Sequence, residues 1–298
     1  MIPFLHIGRL AIPTFGLMVA CAMVAAYFVL RADFARRGLG AGAPGGASGL
    51  AEAFIAIPCL AGIIGAKLYH VLETPRDLFA DPIGEIFSQF GFAWFGGLLA
   101  GLAAFLWLAR RNKISLLAIL DAGSTAAALG YGIGRIGCLL SGDGDYGVPT
   151  SLPWGMSFPN GLVPTEQRVH PTPIYELLAA CLIAWILWRF GAVQIRALRG
   201  RDGAMARKRV ESPLRAEPEI AAADPRASYG GGLPAGDVFA AYLVLTGAVR
   251  FLVEFIRINP RSFFGMSNAQ AASLASMIGG VALWGWLRAK RNVGSASF

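Results

Sequence analysis

The sequence has 298 residues, of which 55% are apolar and only 15% are Asp, Glu, Lys or Arg. Soluble domains carry roughly 25% charged residues, so this composition excludes an ordinary soluble enzyme and a disordered chain. The four cysteines are scattered without a C-x-x-C pair, which excludes a disulfide scaffold and a cysteine zinc site. The net charge of +8 lies in basic clusters between apolar runs, as in membrane loops, so no nucleic-acid partner is expected.

Seven apolar stretches run through the chain, each near the roughly 20 residues that a helix needs to cross a lipid bilayer. In chain order they are residues 12–30, 50–72, 91–109, 114–140, 172–190, 236–257 and 269–287. Backbone groups in lipid must be hydrogen-bonded within their own segment, so these stretches predict helices. The expected fold is an all-α integral membrane protein, a single domain over residues 1–298 with seven transmembrane helices.

The charges of the connecting segments predict the orientation. Basic clusters follow the first, third, fifth and seventh stretches, whereas the segments after the second and fourth are acidic or mixed. Cytoplasmic loops are enriched in Lys and Arg, so the N-terminus is predicted in the periplasm and the C-terminus in the cytoplasm. The sixth connection is the exception, because Arg257 and Arg261 then lie on the outer side.

Two segments have the composition of linkers. Residues 38–49 are rich in Gly and Ala, which is typical of a flexible connection. Residues 191–235 mix Arg, Ala, Pro and acidic residues without a helical period. We expect a disordered cytoplasmic insertion there, with arginines suited to anionic headgroups.

Charged side chains within the apolar stretches need a partner or a function, because each costs at least about 2.5–3.5 kcal/mol at mid-bilayer on insertion scales. The ionisable groups of this kind are Lys67, His70, Asp121, Arg135, Glu176, Arg250, Glu254 and Arg257. In the predicted orientation all except Asp121 fall in the outer half of the membrane. With His170 and Tyr175 at the outer start of the fifth helix, they predict one polar site at the outer face.

Arg250, Glu254 and Arg257 are spaced i, i+4 and i+7, so they share one face of the sixth predicted helix. One interpretation is an internal ion-pair ladder that joins helices. The other is an anion site, because the two arginines leave a surplus positive charge beside one carboxylate. Arg257 could also extend its charged group to the membrane interface.

Arg135 lies in the segment Gly130-Tyr-Gly-Ile-Gly-Arg-Ile-Gly137. Helix packing through small residues explains the glycines but leaves the arginine unexplained. A planar guanidinium with five donors, beside bare backbone at the membrane edge, is suited to bind phosphate. The next segment, Ser141-Gly-Asp-Gly-Asp-Tyr-Gly147, lacks the further acidic ligands of a calcium loop. We therefore expect no metal there and interpret the segment as an irregular part of the site.

The segment His170-Pro-Thr-Pro-Ile-Tyr-Glu176 opens the fifth predicted helix, with Pro in its first turn as is common at helix N-termini. His170 could cap this helix or contact lipid headgroups. Alternatively, it could join Tyr175 and Glu176 in a polar corner of the site.

These motifs resemble those of the bacterial prolipoprotein diacylglyceryl transferase family over most of the chain. The matching segments are Phe15-Gly-Leu-Met18, Gly96-Gly97, Gly134-Arg-Ile-Gly137, Gly142 to Gly147, His170 to Glu176 and Arg250 to Arg257. The resemblance implies a seven-helix transferase of the bacterial inner membrane that uses no cofactor. It would move diacylglyceryl from phosphatidylglycerol to a lipobox cysteine thiol of a preprotein signal peptide, and release glycerol phosphate at the outer leaflet.

The chemistry of this reaction suggests roles for the polar residues. The thiol must lose a proton, and the leaving phosphate needs fixed positive charge. The candidate catalytic residues are Arg135, Asp143, Asp145, His170 and Arg250. The candidate substrate-binding residues are Lys67, His70, Tyr175, Glu176, Glu254 and Arg257.

The chain departs from the family pattern at several positions. Phe95 stands where the family has a functionally important His, and Cys138 and Ser141 stand where it has Asn. Lys67 replaces an Arg, and His70 is a candidate substitute for the missing His. These departures indicate a divergent branch. They leave two alternatives open: a family transferase with another acceptor, or a non-catalytic protein that binds anionic lipid.

Overall fold

The computed structural model describes residues 1–8, 10–40, 42–75, 79, 81–87, 93–211, 235–261 and 264–295. Its helices are α1 (Thr14–Arg37), α2 (Gly46–Glu73), α3 (Pro82–Phe87), α4 (Trp94–Arg111), α5 (Leu116–Ser141), α6 (Thr172–Glu211), α7 (Asp237–Val253) and α8 (Asn268–Ser295). A 3-10 turn at Glu254–Ile256 extends α7. Strands β1 (Phe4–Ile7) and β2 (Leu10–Pro13) form one antiparallel hairpin, and β3 (Met156–Phe158) and β4 (Thr165–Val169) form another.

Each predicted apolar stretch coincides with one of the long helices. Among the described residues, α1, α2, α5, α6 up to Ile195, and α7 through Ile256 are long and apolar enough to cross a membrane. The all-α class and the multi-pass membrane character are therefore confirmed. Residues 94–109 of the third predicted span lie in α4, and α8 contains the seventh. The total of seven spans and the orientation stay predictions.

Two predicted boundaries differ from the structure. α6 continues to Glu211, so residues 191–211 are helical and the predicted insertion does not begin at 191. This part is rich in Ala and Arg, which favour helix even without an apolar period. The remainder of the insertion, 212–234, lies outside the described residues. Residues 46–49, predicted as linker, form the first turn of α2.

The chain folds as two compact units. In the described parts, the first contains the N-terminal hairpin, most of α1, α5 from Leu120, and α6 to α8, whereas the second contains the end of α1, α2, α3 and α4. In the second unit α2 and α4 pack so closely that a Cβ at Gly96 would lie 2.3 Å from the Gly65 carbonyl oxygen. The Gly96-Gly97 pair of the sequence motif thus has a packing role.

Asp121 is the charged residue that the sequence does not place in the outer half of the membrane, and it caps the N-terminus of α7. Its carboxylate accepts the backbone N–H groups of Gly236 and Phe239, each at 2.8 Å. These are free donors at a helix N-terminus, where the helix dipole favours a negative charge. Asp237 in the same turn binds Arg291 of α8 at 2.7 Å. This end of α7 is therefore fixed, and Arg250 lies near the other end.

The loop between α5 and α6 packs on a small core of its own. Tyr146 stacks on Phe158 with ring centroids 5.2 Å apart, and Val169 is buried beside them. The backbone N–H of Val148 donates to the Ile256 carbonyl at 2.8 Å. The loop is therefore attached to the end of α7, which brings its acidic residues to the arginines of that helix.

Candidate functional site

Three arginines and three carboxylates form one continuous network in the first unit, here called the arginine network. Its members are Arg135 of α5, Asp145 of the following loop, Glu176 of α6, Arg250 of α7, and Glu254 and Arg257 at the end of α7. The sequence predicts all six for one outer site, and the structure brings them together. Their roles in catalysis or binding stay predictions.

Glu176 is the most heavily bonded carboxylate of the network, and its side chain is only 1% exposed. One oxygen, Oε1, accepts from Arg250 Nη1 at 2.9 Å and from the Tyr131 hydroxyl at 2.8 Å. The other oxygen, Oε2, lies 2.9 Å from Arg135 Nε and 3.7 Å from Arg257 Nη1. A buried charge is tolerated only when it is paired in this way. Glu176 therefore holds all three arginines in one place.

Glu254 connects the network to α8. Its Oε2 lies 3.1 Å from Arg250 Nη2 and 3.7 Å from Arg257 Nε. Its Oε1 accepts from the Ser267 hydroxyl at 2.8 Å. Ser267 and Gln270 form a capping box, because each side chain accepts the other's backbone N–H, at 3.1 and 3.0 Å. Sequence reasoning missed Ser267, although the S-x-x-Q pattern before an apolar run is a signal for such a helix start.

Asp145 bridges two arginines. Its Oδ2 accepts from Arg135 Nη1 and its Oδ1 from Arg257 Nη2. Burial alone would raise the pKa of the Asp145 carboxyl, but hydrogen bonds and positive charge from Arg257 and Arg135 outweigh it and hold the pKa below its ordinary value. Asp145 is consequently an anion at neutral pH and a poor proton acceptor. Asp143 lies beside it and accepts the Asp145 backbone N–H at 3.2 Å.

Tyr131 is a site residue that sequence reasoning missed. Its hydroxyl accepts from Arg135 Nη2 at 2.7 Å, and the Arg135 guanidinium carbon lies 4.7 Å from the centre of the Tyr131 ring. Tyr131 precedes Arg135 by four residues, so both share one face of α5. That spacing is the only signal of the contact in the sequence.

The ion pairs bear on both interpretations of Arg250, Glu254 and Arg257. Arg250 and Arg257 do form a ladder on Glu254. The side chain of Arg257 is only 7% exposed and pairs with Asp145, which disfavours the alternative that it extends to the interface. The surplus positive charge is neutralised as well, since Asp145 and Glu176 come from other segments to give three carboxylates for three arginines.

A cavity of about 400 Å³ lies beside the network, between α5, α6, α7 and α8. Tyr131, Arg135, Glu176 and Arg250 contribute to its wall. Much of the remaining wall consists of small side chains, including Ala128, Ala180, Ala269, Ala272 and Ser273. Small molecules bind in such concave, mostly apolar sites with a few convergent polar groups. The cavity is therefore suited to a ligand with both an anionic and an apolar part.

His170 belongs to a neighbouring cluster. Its Nδ1 lies 3.2 Å from the Tyr175 hydroxyl, which also accepts from Trp154 Nε1 at 2.8 Å. Its carbonyl accepts the Gly147 N–H at 2.8 Å. A Cβ at Gly147 would lie 2.5 Å from the Ile256 carbonyl oxygen, so only glycine fits there. His170 and Tyr175 are thus in contact, whereas Glu176 points into the arginine network, and a polar corner with a part in the reaction stays a prediction.

The remaining predicted site residues, Lys67 and His70, lie on α2 in the second unit. The His70 Nε2 is 3.1 Å from Glu85 of α3. Phe95, at the position where the resemblance predicts a His, is 63% exposed in the first turn of α4. A part in the reaction for these residues stays a prediction.

One group of potential metal ligands lies at the site. The ligand atoms of Cys138, Asp143 and Asp145 lie within 4.8 Å of one another. Both Asp145 oxygens already face guanidinium groups, and Arg135 Nη1 is 3.6 Å from the Cys138 sulfur. These positive charges disfavour a cation at this position.

Comparison with known proteins agrees with the resemblance. Residues 3–205 and 226–286 match the family model described as prolipoprotein diacylglyceryl transferase. The phosphatidylglycerol–prolipoprotein diacylglyceryl transferase of Bordetella avium is 30% identical over 94% of this chain and 92% of its own. The proteins of that name from Geobacter sulfurreducens and Clostridium tetani are each 29% identical, over 85% and 74% of this chain and 81% and 74% of theirs. The chain therefore belongs to the prolipoprotein diacylglyceryl transferase family of enzymes.

Proposed function

We propose that this protein transfers the diacylglyceryl group of phosphatidylglycerol to the thiol of a lipobox cysteine in a secreted preprotein. The names of its relatives support phosphatidylglycerol as donor and a prolipoprotein as acceptor. The structural observation that supports the proposal most is the position of Arg135 and Arg250. Both belong to the arginine network and to the wall of the cavity, where one molecule can present phosphate to the arginines and hydrocarbon to the cavity.

In this reaction the cysteine sulfur attacks the glyceryl carbon that bears the phosphate. A carbon–sulfur bond forms, the carbon–oxygen bond to phosphate breaks, and glycerol phosphate leaves with the electron pair. Charge therefore develops on the phosphate oxygen, and fixed guanidinium groups stabilise it. We assign this role to Arg135, Arg250 and Arg257, with Glu176 and Glu254 as the residues that position them.

The thiol proton needs an acceptor, for which Asp143 and His170 are the proposed candidates. We do not assign this role to Asp145, because its two arginine partners stabilise the ionised carboxylate and so make it a weak base. The His170 imidazole lies beside the Tyr175 hydroxyl, and histidine is the usual side chain for proton transfer near neutral pH. Lys67, His70 and Tyr175 are proposed to assist substrate binding.

We propose further that all seven long helices cross the bacterial inner membrane, with the N-terminus in the periplasm and the site toward the outer leaflet. The bond between Arg291 and Asp237 supports this orientation, because it places the basic end of α8 beside the start of α7. Arg250 lies near the opposite end of α7. If basic residues mark the cytoplasmic side, the arginine network lies at the periplasmic side.

The test is release of glycerol phosphate by the purified full-length protein in detergent, with phosphatidylglycerol and a lipobox peptide. We expect release with the cysteine peptide and none with the same peptide carrying Ser at that position. Release with both peptides would indicate a different acceptor. A family member assayed in parallel controls for the conditions, and no release from this protein beside an active control contradicts the proposal.

A non-catalytic lipid-binding role is the second candidate, and the replacement of the family's His by Phe95 favours it. Such a protein would retain phosphatidylglycerol through purification and release no glycerol phosphate. Quantifying the co-purified lipid in the same samples separates this outcome from an unfolded preparation.

A further inference from the structure

Asp145 differs from the other carboxylates of the arginine network in its exposure. Its side chain is 31% exposed, whereas those of Glu176 and Glu254 are each 1% exposed. It also comes from an irregular loop, whereas Glu176 lies on a helix and Glu254 on the 3-10 turn that extends one. Asp145 is therefore the carboxylate of the network that an incoming anion can reach and displace.

The two bonds of Asp145 outline an anion site. Its two oxygens bind different guanidinium groups, Oδ2 that of Arg135 and Oδ1 that of Arg257. Guanidinium groups recognise carboxylate and phosphate through the same donor geometry, with adjacent N–H groups bound to adjacent oxygens. A phosphate can therefore bridge Arg135 and Arg257 in the way that the Asp145 carboxylate does.

The charges of the site allow one of the two anions at a time. Three arginines and the two helix-borne carboxylates leave one positive charge, which Asp145 neutralises. A phosphodiester carries one negative charge and can replace Asp145 without changing the balance. With both present, two anions would compete for the same donors, and such like-charge contacts are costly in a partly buried site.

The backbone at Asp145 stays anchored when its side chain moves. Its carbonyl accepts from the Thr172 hydroxyl, and Arg257 Nη1 lies 3.5 Å from the same oxygen. The N–H of Gly147, two residues further on, donates to the His170 carbonyl. Rotation of the Asp145 side chain alone can therefore release its carboxylate from the guanidinium groups of Arg135 and Arg257. The displaced carboxylate remains tethered nearby at a high effective concentration.

We infer that the Asp145 carboxylate competes with the lipid phosphate for Arg135 and Arg257. It binds both arginines when no lipid is bound, leaves them when phosphatidylglycerol binds, and returns to them as glycerol phosphate departs. The inference rests on the proposed function for the identity of the lipid. The product is a phosphate monoester, with about −1.5 to −2 charges at neutral pH against −1 for the diester. Three arginines alone would retain it, and the tethered carboxylate opposes that retention.

The experiment measures the binding of glycerol phosphate to the purified full-length protein by calorimetry, without an acceptor peptide. Asp145→Asn removes the competing charge and should lower the Kd for glycerol phosphate about tenfold or more. Glu166→Gln is the matched control, since it makes the same charge change at an exposed position on β4 outside the network. We expect its Kd to equal that of the wild type.

Thermal unfolding gives a second readout, which remains valid if Asp145→Asn is less stable than the wild type. Ligands raise the Tm of the protein that they bind, so glycerol phosphate should raise the Tm of Asp145→Asn more than that of the wild type, with Asp145→Glu restoring the smaller rise. Equal or weaker binding by Asp145→Asn, or no binding to either protein, overturns the inference. Turnover with the lipobox peptide is measured separately, so wild-type binding without turnover counts against the proposed function alone.

Discussion

The Tyr131 hydroxyl lies between Arg135 and Glu176, 2.7 Å from Arg135 Nη2 and 2.8 Å from Glu176 Oε1. It accepts a hydrogen bond from the arginine and donates one to the carboxylate, so it joins α5 to α6 at the wall of the cavity. Because Arg135 Nε also forms an ion pair with Glu176 Oε2, at 2.9 Å, the three groups form a closed triangle. The orientation of the Arg135 guanidinium is thereby fixed before a substrate arrives.

Tyr131→Phe should lower the activity while leaving the protein folded. The substitution removes two hydrogen bonds to charged groups, each worth about 1.5–3 kcal/mol, and keeps the ring that packs on Arg135. We expect glycerol phosphate release to fall about tenfold or more at limiting phosphatidylglycerol. Steady-state kinetics in detergent check this, and wild-type kinetics would show that the triangle does not orient Arg135 for the reaction.

Arg135→Ala and Arg250→Ala should each reduce kcat by about 10²–10³, which is the effect of losing one donor to a developing oxyanion. Arg261→Ala is the control, since Arg261 lies near the end of α7 and contacts the Phe255 ring outside the network. We expect Arg261→Ala to retain near wild-type rates. Full activity in either network variant would contradict the phosphate assignment.

Glu176→Gln tests whether this carboxylate holds the arginines. Removing one charge from a buried ion-pair cluster costs about 3–5 kcal/mol, and the Glu176 side chain is only 1% exposed. We expect the Tm of the variant to fall by several degrees, measured by thermal unfolding in detergent. Glu166→Gln, on the exposed face of β4, should unfold like the wild type. Equal Tm values for the two variants would mean that Glu176 does not stabilise the network.

Asp121→Ala should destabilise the protein without a direct effect on the chemistry. Loss of a side-chain cap costs about 0.5–2 kcal/mol, and here one carboxylate serves two N–H groups of α7. We expect a lower Tm with kcat nearly unchanged at a temperature where the variant is folded. Asp121→Asn, which keeps one acceptor oxygen, should recover part of the loss. A drop in kcat at unchanged Tm would instead indicate a direct role in the reaction.

The ionisation of Asp145 gives a stability change with pH. Because its pKa in the folded protein lies below the ordinary value of 3.8, its contribution is complete above about that pH and is lost as the pH falls through the lower, folded value. The Tm difference between wild type and Asp145→Asn should therefore be constant from pH 6 to 4 and shrink below pH 3.8. A difference that already shrinks near pH 6 would show that Asp145 titrates higher.

The helices and most of the network were predictable because a charge inside an apolar stretch stands out and needs a partner. The partner of each charge could not be predicted, because Glu176 and Arg250 are 74 residues apart and only the packing of α6 against α7 brings them together. Tyr131 was missed because a hydroxyl in an apolar run suits a helix packed in protein or lipid equally well. For Ser267 the capping pattern indicates a helix start but not the contact with Glu254. Asp143 and Asp145 could not be told apart, because the loop decides which one reaches the arginines.

The hydrogen bond from Ser267 to Glu254 connects the helix that lines the cavity to the arginines of the network. Ser267 caps α8, and α8 supplies Ala269, Ala272 and Ser273 to the cavity wall. A bulkier side chain placed on that wall to change the preferred hydrocarbon would press on α8 and, through Glu254, on Arg250 and Arg257. If the cavity holds the tail of the lipid and the arginines its head, as proposed, we expect that selectivity for the tail and recognition of the head cannot be altered independently.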